Sequence, residues 1–289
     1  MKTYIEIQRE TLSALEEKLC AFISTVRIRE FRNDPNSGVY VLTHPYFYDT
    51  AISDEQKRAQ IELMKVFREW EEHSLLLTIN MPKTTAEQLQ ESNDFLRMQI
   101  ELESDWGTEQ TSEQNLNQVR ERIAAVQSVL KPFDDKSRTI LAPDTNALIS
   151  DPEFNEYTKI AGEEIVIIVF PTVLQELDNL KVTHREQDFR RKVDSVIRRI
   201  KGLRQQGSLI AGVKVNKSIT VVMIAAEPDF DHTLSWLDRN NNDDRIVASA
   251  IEYWRTNPSD RLILVTSDLN LQNKLELAKI PYSEPPSKI

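Results

Sequence analysis

The sequence predicts an α/β domain preceded by an α-helical one, and two observations carry that expectation. In the second half, short aliphatic runs at 140–141, 165–170, 219–224 and 262–265 alternate with helical stretches at 173–180, 186–203, 245–254 and 269–278. Such alternation implies a parallel sheet covered on both faces. The first half shows only long stripes at helical spacing, and composition changes across K-P-F-D-D-K-S-R at 131–138. The expected domains are therefore residues 1–135, helical, and 136–289, α/β.

The helical half has its own order. After Thr11, a candidate N-cap, Leu12, Leu15, Leu19, Phe22, Ile23 and Val26 form one apolar face. A turn-rich R-N-D-P-N-S-G leads into G-V-Y-V-L-T-H-P-Y-F-Y, a strand or an aromatic packing segment. Ile61, Met64, Phe67 and Trp70 recur three apart from Asp54 onward, before an Asn-Met-Pro break. Two further helices are expected over 85–106 and 112–130, the latter with Leu116, Val119, Ile123, Val126 and Val129 or Leu130 on one stripe. These faces suit the mutual core of a bundle. The same stripes permit a partner protein to dock or the chain to self-associate.

The 289 residues carry 46 acids against 36 Lys and Arg, a formal net charge of −10, with 40% hydrophobic residues. This is the composition of a soluble globular protein. An acidic balance opposes bulk attraction to a polyanion, so nucleic-acid binding needs a local basic patch or bridging metal ions. The lone Cys20 cannot form an intramolecular disulfide, charge interrupts the N-terminal segment early, and no apolar run is long enough to span a bilayer. A cytoplasmic protein away from membranes is expected.

Chemistry is indicated by acids delivered repeatedly to sheet edges. In I-L-A-P-D-T-N-A-L-I-S the apolar run stops at Asp144, and Thr145 or Asn146 can cap the helix that follows. Open α/β sheets place their ligands at strand C-termini. Glu176 follows the run ending at Phe170 on a helix that Pro171 opens, while Asp243 and Asp244 stand where a polar loop becomes a helix. Asp268 follows L-I-L-V-T-S and opens the last helix, with Ser267 or Asp268 available as its cap. Capping explains one acid at a helix start; several on one sheet edge repel each other unless protons or divalent cations intervene. Asp and Glu without His or Cys suit Mg²⁺ or Mn²⁺ better than zinc. Such an ion activates water and neutralises a phosphoryl oxygen, the two services phosphodiester hydrolysis needs.

The order D-T-N at Asp144, Q-E-L at Glu176, D-D-R-I-V-A-S-A at Asp243 and V-T-S-D at Asp268 resembles the PIN-domain nucleases, and most nearly the PIN domains that precede PhoH-type ATPases. The resemblance covers roughly residues 138–289. It implies a PIN-like three-layer α/β/α domain with a central parallel sheet, and an endoribonuclease that hydrolyses single-stranded RNA with Mg²⁺ or Mn²⁺. Carried over by position, Asp144, Glu176, Asp243 and Asp268 hold the metal, with Asn146 and Ser267 orienting those carboxylates. Asp244 serves instead of Asp243 if its helix starts one residue later. Asn270 stands where many members have a further acid, which weakens a second metal site. The chain shows no G-x-x-x-x-G-K-[ST], so no ATPase is attached.

For the substrate, Arg190, Arg191, Arg198, Lys201 and Arg204 leave a basic face on the helix whose core side is Val193, Val196, Ile197, Ile200 and Leu203. Lys181 and Arg245 lie closest in sequence to the acids and are placed to touch a scissile phosphate. His44, His73, His184 and His232 lack metal-ligand spacing. The D-x-N-x-N run at 238–242 imitates a calcium loop without its Gly or its closing Glu. A second reading of another class is a PIN-fold RNA- or protein-binding scaffold with a weak or vestigial acid cluster. A nuclease acting on DNA is a third.

Overall fold

The computed structural model describes residues 2–31, 46–104, 108–133, 138–162 and 164–289. The chain divides into two compact units: Glu6–Phe133, and Asp134–Ile289 together with the first five residues. Periodicity alone had placed those five residues with the helical half.

In the first unit, α1 (Tyr4–Thr25) begins before the expected cap, and the Thr11 hydroxyl donates back to the Ile7 carbonyl from inside the helix. The apolar face continues upstream of Leu12 to the fully buried Tyr4 and Ile5, so packing overrides a local capping signal. A two-stranded antiparallel ribbon follows, β1 (Ile28–Glu30) with β2 (Tyr46–Tyr48), whose Tyr48 is buried. The stretch expected as strand or aromatic packing is thus strand where described, while R-N-D-P-N-S-G and His44 lie outside the described residues.

Next come α2 (Asp54–Thr78), opened by a Ser53/Gln56 capping box, α3 (Lys83–Glu101) and α4 (Ser112–Leu130), opened by a Thr111/Gln114 box. The buried face of α2 is Leu63, Phe67, Trp70, Leu76 and Leu77, whereas Ile61 is 58% exposed. Spacing of three drifts off a face that turns every 3.6 residues, which is why the expected stripe fails at its first member. The Trp70 indole donates to Asn93 at 3.0 Å, and Asn93 donates to Ser74 at 2.8 Å. A polar link of this kind fixes the α2/α3 register. Trp106 lies outside the described residues.

The second unit is built on β3 (Thr139–Pro143), α5 (Thr145–Ser150), α6 (Thr158–Ala161), β4 (Ile165–Val169), α7 (Pro171–Thr183), α8 (Gln187–Gln206), β5 (Val213–Lys214), β6 (Ile219–Met223), α9 (Asn242–Thr256), β7 (Arg261–Val265), α10 (Leu269–Leu277) and β8 (Tyr282–Ser283). The sheet order is β5-β6-β4-β3-β7-β8, and helices flank it. Every pairing is parallel except β5 with β6. That edge departs from the expected parallel sheet. β5 is too short to show periodicity, and it turns back where Asn216 Oδ1 accepts the backbone N–H groups of Ser218 and Ile219 at 2.7 and 2.8 Å.

From β3 the chain first builds outward through β4 and β6, then returns to the other side of β3 with β7 and β8. The reversal falls between β3 and β7, and open α/β sheets place their ligands outside the carboxyl ends of the strands at such a point. At the opposite end of these strands, Asp260 is 4% exposed and accepts from Arg138 at 2.6 and 3.2 Å and from the Tyr253 hydroxyl at 2.5 Å. Asp260→Ala removes the acceptor of the buried Tyr253 hydroxyl and the partner of the exposed Arg138 guanidinium, and is expected to lower unfolding stability by about 1–3 kcal/mol in urea titrations.

Candidate metal centre

Asp144 emerges at the C-terminus of β3, where its backbone N–H donates to the Val265 carbonyl at 2.9 Å and ties the ends of β3 and β7 together. Its side chain is the N-cap of α5, with Oδ1 accepting the Ala147 N–H at 2.6 Å. Thr145 and Asn146, the caps expected from sequence, are already inside the helix. Oδ2 accepts from the Thr266 hydroxyl. The carboxyl is only 4% exposed, and burial pushes its pKa above the ordinary carboxylate range. The bonds from Thr266 and Ala147 act the other way, while the charges of Asp268 and Glu176 push it further up. Those two repulsions show that distant segments have delivered three acids to one neighbourhood.

Asp268 stands three residues beyond the end of β7 and caps α10, Oδ1 accepting the N–H groups of Asn270 and Leu271 at 2.8 and 3.2 Å. Its own N–H donates to Thr266 Oγ1 at 3.0 Å. Glu176 rises from α7, which Pro171 opens directly after β4 and Phe170. Its Oε2 accepts from the Thr145 hydroxyl and its Oε1 from the Asn242 amide at 2.6 Å.

Asn241 caps α9 and so aims two successive acids at the edge. Asp243 accepts from the Asn270 amide at 2.8 Å. Asp244 is turned inward, 6% exposed, with Oδ2 accepting the Asp238 N–H at 3.0 Å. Lys274 on α10 reaches both: its ammonium lies 2.7 Å from Asp244, 3.5 Å from Asp243, and donates to Asn241 Oδ1 at 3.1 Å.

The bonds close a circuit. Thr266 joins Asp144 to Asp268, Asn270 joins the cap of α10 to Asp243, Asn242, the chain neighbour of Asp243, reaches Glu176, and Glu176 meets Thr145, the chain neighbour of Asp144. Asp144, Glu176, Asp243 and Asp268 are thus brought to one sheet edge. Asn146 is exposed and Ser267 half-buried. The hydroxyls that orient the carboxylates belong to their neighbours Thr145 and Thr266, which are 4% and 0% exposed. Sequence reasoning named the other member of each pair. The available signal was a hydroxyl two residues before Asp268, directly after a fully apolar strand, where burial demands a polar partner. It also missed Asn242 and Lys274, whose partners come from other helices.

All the donors are oxygens, which fits Mg²⁺ or Mn²⁺. Among the described residues, no three His, Cys, Asp or Glu side chains already surround one metal position. Amides, hydroxyls and Lys274 hold the carboxylates instead.

The basic residues are more dispersed. Arg245, 16% exposed at its side chain, donates to Gln175 at 2.8 Å and Asn242 at 3.3 Å and pairs with Glu227 at 2.7 Å. It therefore braces the amide that holds Glu176. Lys181 pairs with Asp194 at 2.7 Å and exposed Arg191 with Asp188 at 3.2 Å, while Arg190 is half-buried. His184 stacks on Phe189, His73 is buried, and His232 meets Asp229 at 2.6 Å, so these three lie apart from the carboxylate circuit. No helix among the described residues is long and apolar enough to cross a membrane.

Comparison with curated proteins gives no match. Comparison with protein families does, over the stretch from the middle of β3 to the end of β8 that carries every member of the carboxylate circuit: residues 141–283 match the family described as PIN domain, and the second unit of this chain is a PIN domain.

Proposed function

We propose that this PIN domain is an Mg²⁺- or Mn²⁺-dependent endoribonuclease that hydrolyses phosphodiester bonds of single-stranded RNA. PIN domains are in general nucleases, and the observation that carries the finer reading is the circuit joining Asp144, Glu176, Asp243 and Asp268. Bound there, the ion would supply an activated water and neutralise charge on the phosphoryl oxygen. The chain's part is to aim Asp144 in a buried place, where the Thr266 hydroxyl and the Ala147 N–H act against the burial that raises its pKa. Thr266→Val removes one of these, and is expected to weaken Mn²⁺ binding about 10–100-fold by calorimetry while the fold persists.

Arg245 contributes by bracing Asn242, and Lys181, Arg190 and Arg191 by offering positive charge to the RNA backbone. The acidic whole, at −10, makes such local charge and the ion itself the means of attracting RNA. We place the protein in the cytoplasm. In the helical unit, a groove of about 710 Å³ between α1 and α2 is where a protein partner or a second copy would dock.

One observation favours the second reading, a weak or inactive binding module: Lys274 already satisfies part of the acidic charge. Incubation with labelled single-stranded RNA, duplex RNA and DNA, with and without Mn²⁺, separates these. Metal-dependent cuts in single-stranded RNA leaving a 5′-phosphate are expected. Binding without cleavage selects the scaffold, and preference for DNA revises the substrate.

A further inference from the structure

Lys274 is the one cation that contacts the acids of α9 among the described side chains, and it does so from α10, the helix whose first residue follows Asp268. Its ammonium is held on three sides, by Asp244 at 2.7 Å, Asn241 Oδ1 at 3.1 Å and Asp243 Oδ2 at 3.5 Å, and its side chain is 19% exposed. A compact ammonium so enclosed is poorly hydrated and strongly committed to its carboxylates. The consequences for the two acids differ. Asp244 Oδ2 accepts the Asp238 N–H, while its buried Oδ1 makes no hydrogen bond and meets only the charge of the Lys274 ammonium at 2.7 Å, so the lysine is what neutralises that oxygen inside the protein. Asp243 has Asn270 and Lys274 on the same oxygen, Oδ2, which fixes the carboxylate and leaves Oδ1 to face other company.

The geometry points to Lys274 as a positioning residue that sets how many metal ions the centre takes. The inference rests on the metal-dependent reading above. By tying off Asp244 and orienting Asp243, Lys274 makes α9 contribute a single carboxylate, and it supplies in place the positive charge that a second ion would bring. Asn270 works in the same direction, being an amide donor where another carboxylate would recruit a cation. The centre is accordingly a one-ion centre with Asp243, not Asp244, as its third acid.

The test is Mn²⁺ binding to the full chain at fixed ionic strength, by calorimetry with electron paramagnetic resonance counting bound ions. The wild-type chain should bind one Mn²⁺. Lys274→Met, of similar length but uncharged, should bind a second, and Lys274→Arg should return to one. Lys274→Gln keeps hydrogen bonding without charge, and should also gain the second ion if the methionine variant does not fold. Two ions on the wild type, or one ion on both neutral variants with affinity within about twofold, would overturn the role of Lys274. In either of those outcomes loss of binding in Asp144→Asn keeps the metal-centre reading intact. No binding by the wild type overturns both.

Discussion

Asp144→Asn is expected to lose RNA cleavage by at least about 10²-fold, since removing a group that merely orients a metal ligand already costs 10–100-fold. The same substitution should make the metal-free protein more stable. Asp144 is 4% exposed, and burial together with the charges of Asp268 and Glu176 raises its pKa in the fold. A raised carboxyl pKa means that the folded chain holds this proton at a pH where the unfolded chain has released it. Stability therefore falls as pH rises through the folded pKa, and the penalty is complete above it and absent below the unfolded value. Asn carries no charge to penalise, accepts from Ala147 as before, and can donate to Thr266. At neutral pH without metal the variant should melt about 2–4 °C higher for each 1 kcal/mol relieved, and its melting temperature should lack the acid-side rise of the wild type. With Mn²⁺ the order should invert, because only the wild type gains binding energy. Thermal melts at two pH values, with and without Mn²⁺, read all four conditions.

The second large effect lies behind the site. Trp254 on α9 is 1% exposed and stacks on Tyr4, ring centroids 4.4 Å apart and planes 18° from parallel. α9 carries Asp243 at its other end, so this stack anchors the helix that aims the acid. Trp254→Ala is expected to cost about 3–5 kcal/mol. Tyr4→Ala should have a smaller effect in the same unit, by loss of an aromatic pair and its buried area. Hydrogen exchange resolves where the loss falls: amides of α9 and β7 should exchange faster, while those of α3 and α4 keep their protection. Faster exchange confined to α3 and α4 would show that Tyr4 belongs to the helical unit after all.

The fold was legible where one physical signal dominated. Buried parallel strands need unbroken aliphatic runs, and 165–170, 219–224 and 262–265 announced β4, β6 and β7 within a residue or so. Helix boundaries were less legible because packing moved them. α1 starts ahead of Thr11 since Tyr4 and Ile5 are buried, and α2 continues past Trp70 to bury Leu76 and Leu77. β5 and β8, two residues each, carry no pattern at all.

In the site, the acids stood out because a carboxylate ending an apolar run is chemically conspicuous. Their supports did not. Thr145 and Thr266 differ from Asn146 and Ser267 by one position, and only the direction of each side chain decides between them. Lys274 carries no signal of its own in the sequence, since its partners Asp243 and Asp244 are some thirty positions away and meet it only when α9 and α10 are side by side.

The most direct measurement is a crystal structure of the chain grown with Mn²⁺, with data collected for the anomalous signal of manganese. A peak bounded by Asp144, Glu176, Asp243 and Asp268, with Asn242 turned aside, Asn270 still on Asp243 and Lys274 still on Asp244, is the predicted result. Diffraction that shows the hydrogen-bonded circuit unchanged and no manganese among these carboxylates, at metal concentrations that support cleavage, would contradict the account.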